Sequence, residues 1–123
     1  DSSIYNNVYE SLEKDPLFIF LTADNLTSIA LKSYIKSLEE KKYTFELRVG
    51  EISENKSTEY GNYSYKISSY CEPNALGQSR IIYFLTNNDR LAYSKKGDKV
   101  ICAGKIANIF INTVNEEMIL IEK

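Results

Sequence analysis

Four tyrosines crowd into the stretch YGNYSYKISSY (Tyr60, Tyr63, Tyr65 and Tyr70), out of ten in a chain of 123 residues. Aromatic rings presented on a strand can stack on the bases of a single-stranded nucleic acid, each stack contributing about 1–3 kcal/mol. Side chains alternate along a strand, so Tyr63, Tyr65 and Ile67 share one side, while Ser64, Lys66, Ser68 and Tyr70 share the other. The first set reads as filling a core, with the hydroxyls left at its rim. The second set is the candidate binding face, where Lys66 and Tyr70 are joined by Arg48 and Tyr83 from neighbouring strands. Glu46 falls on the side of Arg48 and dilutes its charge.

Other chemistry is largely excluded by residue type. The chain has no histidine, so neither a Ser-His-Asp nor a Cys-His arrangement can be assembled. Two cysteines, Cys71 and Cys102, form no CxxC pair, and the usual ligand sets of structural zinc are out of reach. The two are either a disulfide, if the protein is exported, or two small apolar residues inside strands. The glycine spacings fit neither a P-loop nor a dinucleotide fingerprint, and Asp89 and Asp98 have no EF-hand spacing. Glu116 and Glu117 are adjacent, so on a strand they point to opposite faces and make no acid–base dyad; a solvated loop is the expectation there. Three Asn-x-Ser/Thr triplets, at Asn25, Asn55 and Asn62, need no glycan to explain them in a chain this rich in asparagine. The expectation is a non-enzymatic module with no metal and no cofactor.

The elements that would carry this face follow from periodicity. Ile4, Val8 and Leu12 fall four apart, one face of a short helix capped by Ser2 or Ser3 and ended at Asp15-Pro16. The run LFIFLTA reads as a short extended cover. A second helix starts after Asp24, with Leu31, Tyr34, Ile35 and Leu38 on one flank and Lys32, Lys36, Glu39 and Glu40 largely opposite. From Tyr43 the period becomes two. Tyr43, Phe45, Leu47 and Val49 alternate up to Gly50, after which the inward side switches to Ile52, as at a bulge or sharp bend. Further strands are expected in NYSYKISSYCE, SRIIYFLT, KVICAGKIANIFI and MILIE, with a short helix in NNDRLAY between the third and fourth. Gly50 and Gly104 occupy matching places in the first and fourth strands, where a strand must curl to close a barrel. Gly97-Asp98 is the turn that launches the fourth.

Five strands with a helix between the third and fourth is the layout of the OB-fold. The helix beginning TADNL, the strand ELRVGEI and above all KKGDKVICAGKI resemble the tRNA_anti-like OB-fold family, a set of small bacterial proteins, over about Thr22 to Glu122. The fold class expected is therefore α+β: a five-stranded OB-fold β-barrel over 43–123, with residues 1–42 as a helical cap packed on it. An OB-fold offers the face of its second and third strands to a ligand, flanked by the loops joining the first to the second and the fourth to the fifth.

Charge decides between partners at this level. The whole chain carries −2. Residues 1–42 hold five Lys/Arg and seven Asp/Glu, while residues 43–123 hold ten of each. Binding to nucleic acid draws heavily on a basic excess, and the barrel has none. With Asp1 in place of a start methionine, the expectation is a protein- or peptide-binding module in a bacterial envelope, exported or lipid-anchored. Single-stranded nucleic-acid binding through the face of the second and third strands is the alternative. The longest apolar run, Leu17 to Leu21, is far short of the roughly eighteen residues of a membrane span.

Overall fold

The structure, a computed structural model, describes residues 8–12, 14–16, 18, 28–73, 77–111 and 115–122. Strands β1 (Tyr43–Arg48) and β2 (Glu51–Glu54) both come from the first expected strand. The other four are β3 (Tyr65–Cys71), β4 (Ser79–Thr86), β5 (Lys99–Ile111) and β6 (Asn115–Glu122). They form one curled mixed sheet in the order β1-β5-β6-β4-β3-β2, in which β4 and β6 pair in parallel and the other neighbours antiparallel. The strands at the two ends of that order are consecutive in the chain. Counted as one bent strand, they return the sheet to its start, which is the OB-fold path. Six segments therefore stand where five strands were expected.

The break lies at Val49 and Gly50, and backbone hydrogen bonding shows why. Val49 donates to the carbonyl of Asp98 (2.8 Å) and accepts from the amide of Gly97 (2.7 Å), which holds it against the turn before β5. The next amide, that of Gly50, donates to Ser68 on β3 (2.7 Å). Two neighbouring residues thus bond to opposite ends of the sheet. A Cβ on Gly50 would come within 2.9 Å of the Ser68 carbonyl oxygen, so this crossing requires glycine. The inward side switches across it as expected: Phe45, Leu47 and Val49 are buried before it, and Ile52 packs on the core after it.

Gly104 departs from expectation. The irregularity in β5 lies between Ile106 and Asn108, where the register against β6 slips by one residue. Buried positions run Cys102, Gly104 and Ile106 before the bulge and Ile109 after it. Gly104 is instead a point of close approach, because a Cβ there would run into the carbonyl oxygen of Ile121 and the ring of Phe84. That ring meets Phe45 edge-on at 5.7 Å between centroids, and Ile67, Ile82, Ile106, Met118 and Leu120 complete an interior closed to solvent.

Before the sheet come α1 (Val8–Leu12) and α2 (Ser28–Leu38). Val8, Tyr9, Leu12 and Phe18 join the same core cluster as the barrel residues, as do Tyr34 and Leu38 from α2. Val8 and Leu12 are thus buried within the chain. The hydroxyl of Tyr34 donates to Asp15 (2.9 Å), tying α2 to the segment after α1. Ile4, the Ser2/Ser3 and Asp24 caps, and most of LFIFLTA lie outside the described residues. Phe18 within that run has helical backbone rather than the extended one expected.

A charged pair sits in this interior. Arg80 on β4 and Glu116 on β6 meet at 3.1 Å (Nε to Oε2), with Glu116 fully buried. The guanidinium lies 4.9 Å from the ring centroid of Tyr9, whose hydroxyl donates to the Ile81 carbonyl at 3.3 Å. Burial, and then the Glu116 charge, push the Tyr9 hydroxyl far above its ordinary range. The solvated loop expected at Glu116 and Glu117 is therefore corrected: β6 begins at Asn115, and alternation sends Glu116 inward and Glu117 outward. Cys102 is also buried; desolvation, with help from Glu122, pushes its thiol up to about 12. No disulfide joins it to Cys71.

Two substitutions test this account by urea denaturation. Gly104→Ala should cost about 1–3 kcal/mol, the range for overpacking a close contact; unchanged stability would mean that β5 and β6 are not so tightly apposed. Arg80→Leu should cost about 3–5 kcal/mol by leaving Glu116 buried without its guanidinium, and Arg80→Leu with Glu116→Leu should recover most of that.

Candidate nucleic-acid interface

The outer face of β2, β3 and β4 is assembled by strand parity. On β3, Ile67 and Ser69 point into the core, which turns Lys66, Ser68 and Tyr70 out. Tyr83 comes to the same face of β4, since the register sets Ser68 opposite Tyr83. The switch at Gly50 does the same for Glu51 and Ser53 on β2, which sit opposite Ser68 and Lys66. These six residues line a groove of about 240 Å³. Lys66 holds its ammonium 5.4 Å from the centroid of the Tyr83 ring, a cation–π contact worth about 0.5–1 kcal/mol at an exposed site. Tyr70 is 70% exposed, with its ring open to a planar partner.

Of the four residues expected on this face, Lys66, Tyr70 and Tyr83 are brought together. Arg48 is not among the lining residues: it ends β1, opposite Lys99 of β5. Glu51 and Glu117 were not anticipated here. Glu117 accepts a hydrogen bond from the Tyr83 hydroxyl (3.3 Å) across the parallel β4–β6 pair. Desolvation, then the charge and hydrogen bond of Glu117, raise the Tyr83 phenol above its usual value. The inward switch after Gly50 was legible and would have placed Glu51 outward. The pairing of Glu117 depends on β4 and β6 being neighbours, which is a matter of topology. Arg80 and Glu116, the buried pair, left a signal in alternation: each precedes buried residues two and four positions on.

Tyr63 and Tyr65 do not fill the interior. Both are half-buried at the rim, where their hydroxyls donate to the Glu122 carbonyl (3.3 Å) and to Asp89 Oδ1 (2.7 Å). The bond to Asp89, followed by its charge, raises the Tyr65 phenol. Asp89 begins α3 (Asp89–Ala92), which Asn88 caps by accepting from the Arg90 amide at 3.0 Å. The loop from β2 to β3 is held by asparagines. Asn55 donates to the carbonyls of Ser57 and Tyr63 (3.0 and 2.9 Å), and Asn87 bonds Asn62 and Ser64 (2.9 and 2.8 Å). This is the first of the two loops expected beside the ligand face, and it joins the strands that carry Ser53 and Lys66. The second, between β5 and β6, falls at 112–114, outside the described residues. Among the described residues no group of three acidic or cysteine side chains is placed to hold a metal ion, and no helix is long and apolar enough to cross a membrane.

No protein-family model matches the sequence, and no curated protein does either, so the tRNA_anti-like resemblance finds no support at the level of family. Among solved structures, the chain is similar to the mitochondrial single-stranded DNA binding protein Rim1 of S. cerevisiae. Identity is 22%, with a TM-score of 0.38, over 65% of this chain and 86% of that one. The expectation of a protein- or peptide-binding module in a bacterial envelope is corrected. The neighbour found is a DNA-binding protein, and nothing favours an envelope partner.

The Tyr83–Glu117 contact has a sign that can be checked. A phenol raised in the folded state contributes stability that is fully present at neutral pH and is lost as pH climbs from about 10 through the folded value. Glu117→Gln should bring the Tyr83 titration down, read as tyrosinate absorbance against the same series in Tyr83→Phe. An unmoved curve would show that Glu117 does not act on this ring.

Proposed function

We propose that the chain binds single-stranded nucleic acid on the outer face of β3 and β4, in an OB-fold of five strands with the first one bent. The observation that carries this reading is the exposed Tyr70 ring beside a Lys66–Tyr83 pair in one open groove. A flat ring open to solvent suits any base, because every base has a π-face. Lys66 can meet a phosphate between stacked bases. Glu51 in the groove offsets the charge of Lys66, and Glu117 lies beside it, so stacking supplies most of the affinity at this face and charge little. The role requires no catalytic step.

Fluorescence anisotropy with a labelled oligothymidylate of about 15 nucleotides tests it. Tyr70→Ala should weaken binding by about 1–3 kcal/mol at any salt. Lys66→Ala should weaken it less and reduce the slope of log K on log[salt] by about 0.7, the share of one phosphate contact on a single strand. Absence of binding at low salt would end the proposal.

A further inference from the structure

A second hollow, of about 400 Å³, opens between α2, the bulge of β5 and the loop from β2 to β3. Three lysines border it: Lys32 and Lys36, one helical turn apart on α2, and Lys105, just before the bulge. A single carboxylate, Glu39, borders it too. Among the described residues, none of the three lysines is in an ion pair, with Glu39 or with any other acid. Positive charge is therefore in excess here, three lysines against one glutamate, in a chain whose net charge is negative.

Tyr60, Asn108 and the apolar side chains of Ile35, Ile106, Ala107 and Ile121 complete the wall. Asn108 donates from Nδ2 to the hydroxyl of Tyr60 at 2.8 Å, while its Oδ1 accepts from the amide of Ile109, also at 2.8 Å. The phenol is thus used as an acceptor by Asn108 and keeps its own proton to donate. The bulge between Ile106 and Asn108 is what brings Asn108 to this wall. Three ammonium groups and one hydroxyl around a single open hollow match an anion with several oxygens and a charge near −2, and a phosphate group is such an anion.

We propose that this cleft is a phosphate-binding site. The phosphate is either the sugar–phosphate backbone of the strand, in which case the site rests on the function proposed above, or a free phosphate ester. The loop that supplies Tyr60 also leads into β3, so a strand leaving the tyrosine groove along that loop would reach the lysines. The two surfaces then divide the work: bases stack on a near-neutral face, and charge is met at the cleft.

The test uses the full chain, isotope-labelled, titrated with inorganic pyrophosphate and followed by NMR. Saturable shifts are expected at Lys32, Lys36, Lys105 and the Asn108 side-chain amide. They should vanish in Lys36→Glu with Lys105→Glu and persist in Lys41→Glu, an exposed position outside the cleft. No saturable shift, or the same shifts in the charge-reversed protein, would overturn the site. The source is decided with the oligothymidylate. If Lys36→Ala and Lys105→Ala each lower the salt slope by about 0.7, the phosphate belongs to the strand. If the slope is unmoved while the pyrophosphate shifts are lost, the site takes a free phosphate ester. Failure of the groove reading looks different again: pyrophosphate binds and the oligonucleotide does not.

Discussion

The transfer of backbone hydrogen bonds at Val49 and Gly50 is the constraint on which the molecule depends. One residue is held by the turn before β5, and the next is held by β3. A buried sheet edge would leave peptide groups without partners, at a cost comparable to that of a lost hydrogen bond for each. Handing one strand from one end of the sheet to the other removes most of that cost. It also sets the parity of β2, and so decides that Glu51 and Ser53 face the groove while Ile52 faces the core. The requirement for glycine at this point is steric, since β3 passes too close for any side chain.

The interior is not purely apolar. Arg80 and Glu116 lie on strands that pair in parallel, as direct register partners across β4 and β6, and Tyr9 from α1 covers the guanidinium. An ion pair of this kind is weak evidence for net stability, because desolvation offsets much of the attraction. What it does impose is a geometry. A charge buried on one strand has to meet its partner on the next, which disfavours a slip in register between β4 and β6. The N-terminal segment gains a polar anchor as well as an apolar one, with the Tyr9 hydroxyl on Ile81 and Val8 and Leu12 in the core.

The outer surface carries two hollows of different character. The groove on β3 and β4 has aromatic rings and almost balanced charge, while the cleft at α2 sets lysines beside an apolar wall of Ile35, Ile106, Ala107 and Ile121. An overall charge of −2 conceals this division, because it averages the cleft with acidic positions elsewhere. Whole-chain charge therefore led away from nucleic acid, although the local arrangement is compatible with it.

Much of the fold was legible before any coordinates. Alternation located β3, β4, β5 and the greater part of β6, and the switch in parity after Gly50 announced the bend. Lys66 and Tyr70 were placed on a common outward face by a period of two, which is a purely local property of extended backbone. What local periodicity cannot convey is which strands become neighbours. The Glu116–Arg80 pair, the Glu117–Tyr83 bond, the separation of Arg48 from the groove and the meeting of Lys105 with Lys32 and Lys36 all follow from pairings between distant segments. The bulge at Asn108, not Gly104, bends β5 because register against β6 is settled by the packing of both strands together. Sequence alone thus determined the faces of each element, through residue-by-residue geometry. The tertiary structure decided which faces meet, because closing the sheet is a condition on the whole chain that no short segment contains.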